Sequence, residues 1–207
     1  MKNDAGEVET QGERSRPVRA DARRNLDALL RAAMEVFAEE GVDAPIRTIA
    51  ARAGVGVGTL YRHFPQRSDL VQAIIRSEVE ACVEAAATLR ATQAPGEALA
   101  SWMQRLVDLA ATKRGLGPAL HSGDPALQSL PDYVFGQLTP ALRGLLDEAA
   151  AAGAARADVD AGELLLAAMR LASPASEGDV AQARRMMALL ADGLRCGASG
   201  PANAPSV

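Results

Sequence analysis

Leu26, Leu29, Leu30, Ala33 and Phe37 recur at i, i+3, i+4, i+7 and i+11, with polar residues between them. That period predicts an amphipathic helix over residues 21–41, closed by Gly41. A shorter stripe of Ile46, Ile49, Ala50 and Ala53 predicts about two further turns. Pro45 suits their start, because its missing N–H would be unpaired there anyway, and Gly54 ends them. A third helix over 57–64 turns Leu60 and Phe64 inward and leaves Thr59, Tyr61, Arg62 and His63 facing outward, with Pro65 as its stop. From Arg67 the series Leu70, Ala73, Ile74, Ser77, Ala81 and Ala85 predicts a long helix running to about Arg90.

Beyond it, "ATQAPGE", "KRGLGP", "HSGDP", "LPDY", "AAGAARADVDAGE" and "SPASEGD" punctuate the chain. They leave helices near 97–113, 116–121, 132–152, 161–172 and 178–195. Residues 1–20 lack periodicity and read as a disordered arm, or a plain solvated tail, that brings Arg14, Arg16 and Arg19 next to the first helix. The resulting division is an arm at 1–20, a small helical unit at 21–66, a larger helical domain at 67–197 and a disordered tail at 198–207.

Composition supports helix over sheet. The 207 residues are 48% hydrophobic but only 3% aromatic, and β-branched residues thin out after position 85. An all-α protein with a real core is expected. The net charge of −4 argues weakly against nucleic acid, but its distribution argues the other way. Residues 14–76 hold 11 Arg against 7 acidic groups, whereas 77–207 hold 10 basic against 15 acidic. A basic segment sits beside an acidic remainder, and only the segment need touch DNA.

Several classes drop out. Cys82 and Cys196 stand alone, with no CxxC or His/Cys cluster, so neither a disulfide framework nor a metal site is expected. No signal peptide and no run of about 18 apolar residues is present, which points to a cytoplasmic chain without membrane contact. An enzyme is not expected: the histidines are His63 and His121, and Ser122 beside His121 in sequence does not make a triad. No catalytic residue and no cofactor is assigned.

"AGVGVGTLYRHFP", residues 53–65, poses the sharper choice. A dinucleotide loop needs a strand before it and an acidic residue about 20 positions on, and a Walker loop needs Gly-Lys-Ser/Thr. The preceding stretch has helical period and no lysine is near. The glycines therefore form a turn between helices, with Gly54 at positive φ and Gly56 and Gly58 allowing close approach to a neighbouring surface. The unit is a helix-turn-helix.

The stretch "LLRAAMEVFAEEGVDAPIRTIAARAGVGVGTLYRHFPQRSDLVQAII", residues 29–75, resembles the DNA-binding domain of the tetracycline-repressor (TetR) family. Phe-Ala-Glu-x-Gly, Ile-Ala-x-x-Ala-Gly-Val and Gly-Thr-Leu-Tyr-x-His-Phe all fall at the family's spacing. The later two thirds resemble the family only in composition and architecture. The resemblance implies a three-helix head joined to a helical ligand-binding and dimerisation domain. It also implies a homodimeric repressor on a palindromic double-stranded DNA operator, released by a small-molecule effector of unknown identity. An activator, or an effector-independent DNA-binding protein of the same fold, is the alternative.

Positions that contact DNA in the family are held here by Arg47, Val57, Gly58, Thr59, Tyr61, Arg62 and His63. Arg62 suits guanine O6 and N7, or phosphate; Thr59 and Tyr61 suit phosphate oxygens; His63 has one hydrogen bond to give. Arg67 begins the next helix and brings charge and backbone amides to the phosphates. Valine at 57, proline at 45 and glutamine at 66 depart from the family's usual lysine, threonine and serine or asparagine. Packing or capping within the small unit is the other reading of Tyr61 and His63.

In the larger domain, Leu164, Leu165, Ala168, Met169 and Leu171, with Val180, Met186, Met187, Leu190 and Leu194, look like the family's dimer-forming helix pair. Core within one subunit is the alternative. Trp102, Met103, Leu106, His121, Tyr133, Phe135 and Leu138 gather most of the domain's large side chains, as an effector pocket or as ordinary core. The long fourth helix is the expected rod between effector and DNA.

Overall fold

The computed structural model describes residues 15–112, 114–172 and 180–195. Residues 1–14 of the expected arm, Cys196 and the expected tail at 198–207 lie outside them. Among the described residues the chain is all-α. Its elements are α1 (Ser15–Glu40), α2 (Ile46–Ala53), α3 (Val57–His63), α4 (Arg67–Thr92), α5 (Pro95–Thr112), α6 (Gly117–Leu120), α7 (Leu130–Ala151), α8 (Ala161–Ala172) and α9 (Val180–Arg195). Short 3-10 turns at Arg114–Leu116 and Pro125–Leu127 flank α6. None of the described helices is long and apolar enough to cross a membrane.

α1 begins at Ser15, six residues before the point where the apolar stripe becomes regular. Pro17 is tolerated because the first turn needs no intrahelical N–H donor. Leu29, Leu30, Ala33, Val36 and Phe37 are buried, while Leu26 stays 36% exposed. Gly41, at φ +84°, ends α1 and its N–H donates to the Phe37 carbonyl at 3.0 Å.

The turn after α2 is built from hydrogen bonds that only a left-handed residue permits. Gly54 sits at φ +67°, its N–H reaches Ala51 at 3.2 Å, and the Val55 N–H reaches back to Ala50 at 3.0 Å. α3 then starts at once, with Leu60 fully buried and Phe64 covered just beyond its end. Each such apolar side chain contributes about 1.5–3 kcal/mol of burial. Arg52 locks α2 to α1 through a fork onto Glu39, at 2.7 and 3.1 Å, and a longer contact to Glu35 at 3.5 Å.

α4 packs on α1 and, more extensively, on α5 and α7. Its buried face is Leu70, Val71, Ile74, Ile75, Val79, Cys82 and Ala86. The expected series through Ala73, Ser77, Ala81 and Ala85 lies one face over, half-buried or exposed. Alanine and serine give a face little drive to bury; the β-branched Val71, Ile75 and Val79 decide which side turns inward. Ala73, Ser77 and Ala81 instead line an open cleft of about 780 Å³ with Leu26 and Leu30 of α1. One apolar core runs without a break from Leu29 to Leu194.

Candidate nucleic-acid interface

α3 is held to the head by Leu60 and shows its other side to solvent. Val57 is 40% and Tyr61 52% exposed, and Arg62 and His63 are also exposed. Gly58 sits on that side, and a Cβ built there meets nothing within 4 Å. Thr59 is half-buried. The Arg62 side chain folds along the helix, its Nε donating to the Gly58 carbonyl at 3.2 Å and Nη2 to Thr59 Oγ1 at 3.3 Å. Arg47 is exposed on α2. His63 also lies near the Phe64 ring, centroids 6.1 Å apart at 42°, which is the packing alternative in weak form.

Arg67 behaves differently from the other seven residues. Its Nη1 donates to the Ala44 carbonyl at 2.8 Å and also to the Val42 carbonyl, which turns the guanidinium toward the α1–α2 turn. The α4 N-terminus is capped from within: the Gln66 N–H donates to Asp69 Oδ2 at 2.9 Å. Nothing in the spacing of the sequence distinguished an arginine that holds two carbonyls from one that faces phosphate. The Arg52 pair was equally hidden. Arg52 holds the Glu39 carboxyl below its ordinary range, first by hydrogen bonding and then by charge. The same contacts favour the charged form of the Arg52 guanidinium.

The seven expected pocket residues do not line one opening. Trp102, Met103, Leu106 and Leu138 have no exposed surface, and the Trp102 indole N–H donates to the Cys82 carbonyl at 2.8 Å. Tyr133 and Phe135 are half-buried. Arg76 lies 4.1 Å over the Tyr133 ring, whose hydroxyl reaches Glu80 at 3.4 Å. His121 is exposed, with its Nδ1 2.7 Å from the Gly117 carbonyl.

The ten expected interface residues divide between inside and outside. Leu164, Leu165, Ala168, Met169, Met187 and Leu194 are buried within the single chain, against α5 and α7 or each other. Val180, Met186 and Leu190 are half-buried, and Leu171 is 40% exposed. Two leucines outside the expected set, Leu166 and Leu189, stand 43% and 62% exposed on the same helix pair. Their signal was present in sequence: they fall between the two inward stripes.

Comparison with known proteins agrees with this geometry. Residues 29–74 match the model of bacterial regulatory proteins of the tetR family, and residues 94–196 that of the SbtR-like transcriptional regulator C-terminal domain. The TetR transcriptional regulator SCO0520 from Streptomyces coelicolor is 39% identical, with a TM-score of 0.70 over 82% of this chain and 97% of that one. A TetR regulatory protein from Mycobacterium vanbaalenii is 37% identical, also at 0.70, over 86% and 99%. FadR from Bacillus subtilis, solved in complex with stearoyl-CoA, shares the fold at 21% identity and a TM-score of 0.60 over 81% and 98%. Among curated relatives, the HTH-type regulator SAUSA300_2515 of Staphylococcus aureus is 39% identical over 64 residues. That match spans 30% of this chain and 35% of the relative. With the helix-turn-helix, the helical body and both family models in agreement, the chain belongs to the TetR family of DNA-binding transcriptional regulators, a non-enzymatic family, and carries an SbtR-like C-terminal domain.

Proposed function

We propose that the protein is a homodimeric repressor that lays α3 of each subunit into successive major grooves of a palindromic operator. The observation that carries this is the open face of α3, where Gly58 leaves space that none of the described residues fills. Glycine in a helix costs about 1 kcal/mol against alanine, so its presence there calls for an outside surface that must come close. Arg62 reads guanine, Val57 meets a thymine methyl, and Arg47, Thr59, Tyr61 and His63 hold phosphates. Leu166, Leu171 and Leu189, with Met186 and Leu190, give the body an outer apolar face for a twofold mate. Pairing sets two reading helices about 34–36 Å apart.

A small-molecule effector that favours another head spacing weakens DNA binding, and operator DNA weakens effector binding by the same factor. A second reading, effector-independent binding, draws on the closed body core around Trp102, Met103, Leu106 and Leu138. Selection of bound duplexes from a random pool, repeated across salt, tests the proposal. A palindrome with half-sites about one turn apart and a steep loss of affinity with salt supports it. Weak binding without sequence preference refutes operator reading by the chain alone.

A further inference from the structure

We infer that Gly115 is a positioning residue for DNA reading: by lacking a side chain it lets the body rest directly on the backbone of α1, and this seat sets the angle of the reading head. A Cβ built at Gly115 would lie 2.3 Å from the Phe37 carbonyl oxygen, 2.6 Å from its carbon and 2.9 Å from the Ala38 nitrogen. Those atoms are backbone and cannot swing aside, so any side chain there forces one body off the other. Gly115 is not among the glycines at positive φ, so its own turn does not require glycine. The requirement comes from across the contact.

The place touched matters for the head. The Phe37 carbonyl accepts the Gly41 N–H that closes α1, and the chain then turns into α2 past Val42 and Ala44, the two carbonyls held by Arg67. Leu116, 1% exposed, anchors the seat beside Gly115. The other end of the same stretch is tied to α4, where Gln72 Nε2 donates to the Ala126 carbonyl at 3.0 Å. Between these ties lies a cleft of about 290 Å³, with Val42 and Asp43 of the head on one side, Pro118, Ser122 and Asp124 on the other, and Ser68 of α4 between them. Residues 114–127 therefore touch both α1 and α4, and a change in them is delivered to the corner from which α2 and α3 hang. α4 is then one of two routes between the domains.

The inference rests on the dimeric reading above, in which head angle becomes half-site separation. Operators with half-sites moved apart or together in single base-pair steps are titrated with the full-length wild type, Gly115→Ala, Gly117→Ala and Gln72→Leu. Gly117 controls for loss of a glycine in the same turn, since a Cβ there meets nothing within 4 Å. The expected result is that Gly115→Ala prefers a separation changed by one base pair or more, about 3.4 Å per step, while Gly117→Ala keeps the wild-type optimum. An unchanged optimum in Gly115→Ala overturns the inference, whatever happens to affinity, because destabilisation alone lowers the active fraction without moving the optimum. If Gly115→Ala does not fold, Gln72→Leu decides by the same criterion. If the wild type selects no paired half-sites, the dimeric reading fails, and the seat is judged by deuterium exchange of the amides at 36–41. Faster exchange in Gly115→Ala than in Gly117→Ala then upholds it, and equal exchange overturns it.

Discussion

Arg67 Nη1 lies 2.8 Å from the Ala44 carbonyl, so the first residue of α4 holds the turn that leads into α2. Arg67→Gln removes a charged donor from two carbonyls, and a loss of about 1–3 kcal/mol in stability is expected. All duplexes weaken together, and the dependence of log affinity on log salt keeps its slope. Arg47→Ala gives the opposite pair of results, an unchanged melt and a slope reduced by about 0.9 for one lost phosphate contact. Thermal melts and salt titrations of both variants check this.

Gly58→Ala separates fold from function. The added methyl meets nothing within 4 Å among the described residues and improves helix propensity, so stability rises by up to about 1 kcal/mol. Operator affinity falls about tenfold or more, the scale of one lost good contact. Denaturant melts and operator titration of the same sample measure both.

Leu189→Arg tests the outer face of α8 and α9. The side chain is 62% exposed in the single chain, so the helical content and monomer fold persist. Sedimentation velocity is expected to show a dimer for the parent, as proposed, and a monomer for Leu189→Arg. Leu165→Arg, at a position with no exposure, unfolds the body instead, because it buries a charge without a partner.

Glu78 supplies a pH signature. Half-burial beside α5 pushes its carboxyl above the ordinary 4.5, against the smaller opposing pull of Arg105. A carboxyl with a raised folded value binds its proton more tightly in the native state, so ionising it costs stability as pH rises through that range. Glu78→Gln is therefore expected to melt above the parent at pH 7, with the difference shrinking toward pH 4. A difference that grows on acidification contradicts this.

The helix pattern was legible wherever large apolar residues repeat, and the turn at Gly54 was legible because few residues take a left-handed backbone. α4 shows why reading stops there. Its alanines fit either face, and only the helices packed against it select Val71, Ile75 and Val79. The outward placement of Tyr61 and Arg62 was legible because α3 is short and one side is fixed by Leu60. Arg67 and Gly115 were not assigned their contacts, since each depends on residues far along the chain: Ala44 lies 23 positions from Arg67, and the backbone against Gly115 belongs to α1. "KRGLGP" carried only the message that a helix ends. The outward leucines of α8 and α9 needed the inward set to be known first.

The unbroken core along α4 bears on how such regulators exchange parts. Leu70, Val71, Ile74 and Ile75 lie beyond the last residue of the helix-turn-helix, yet they share the core that buries Phe37, Ile49 and Leu60. A chimera joined at Gln66 would give one parent's head the other parent's floor. A crossover placed after Arg76 would keep the floor with its own head, and leaves the contacts of residues 114–127 as the remaining surface that the two parents must match.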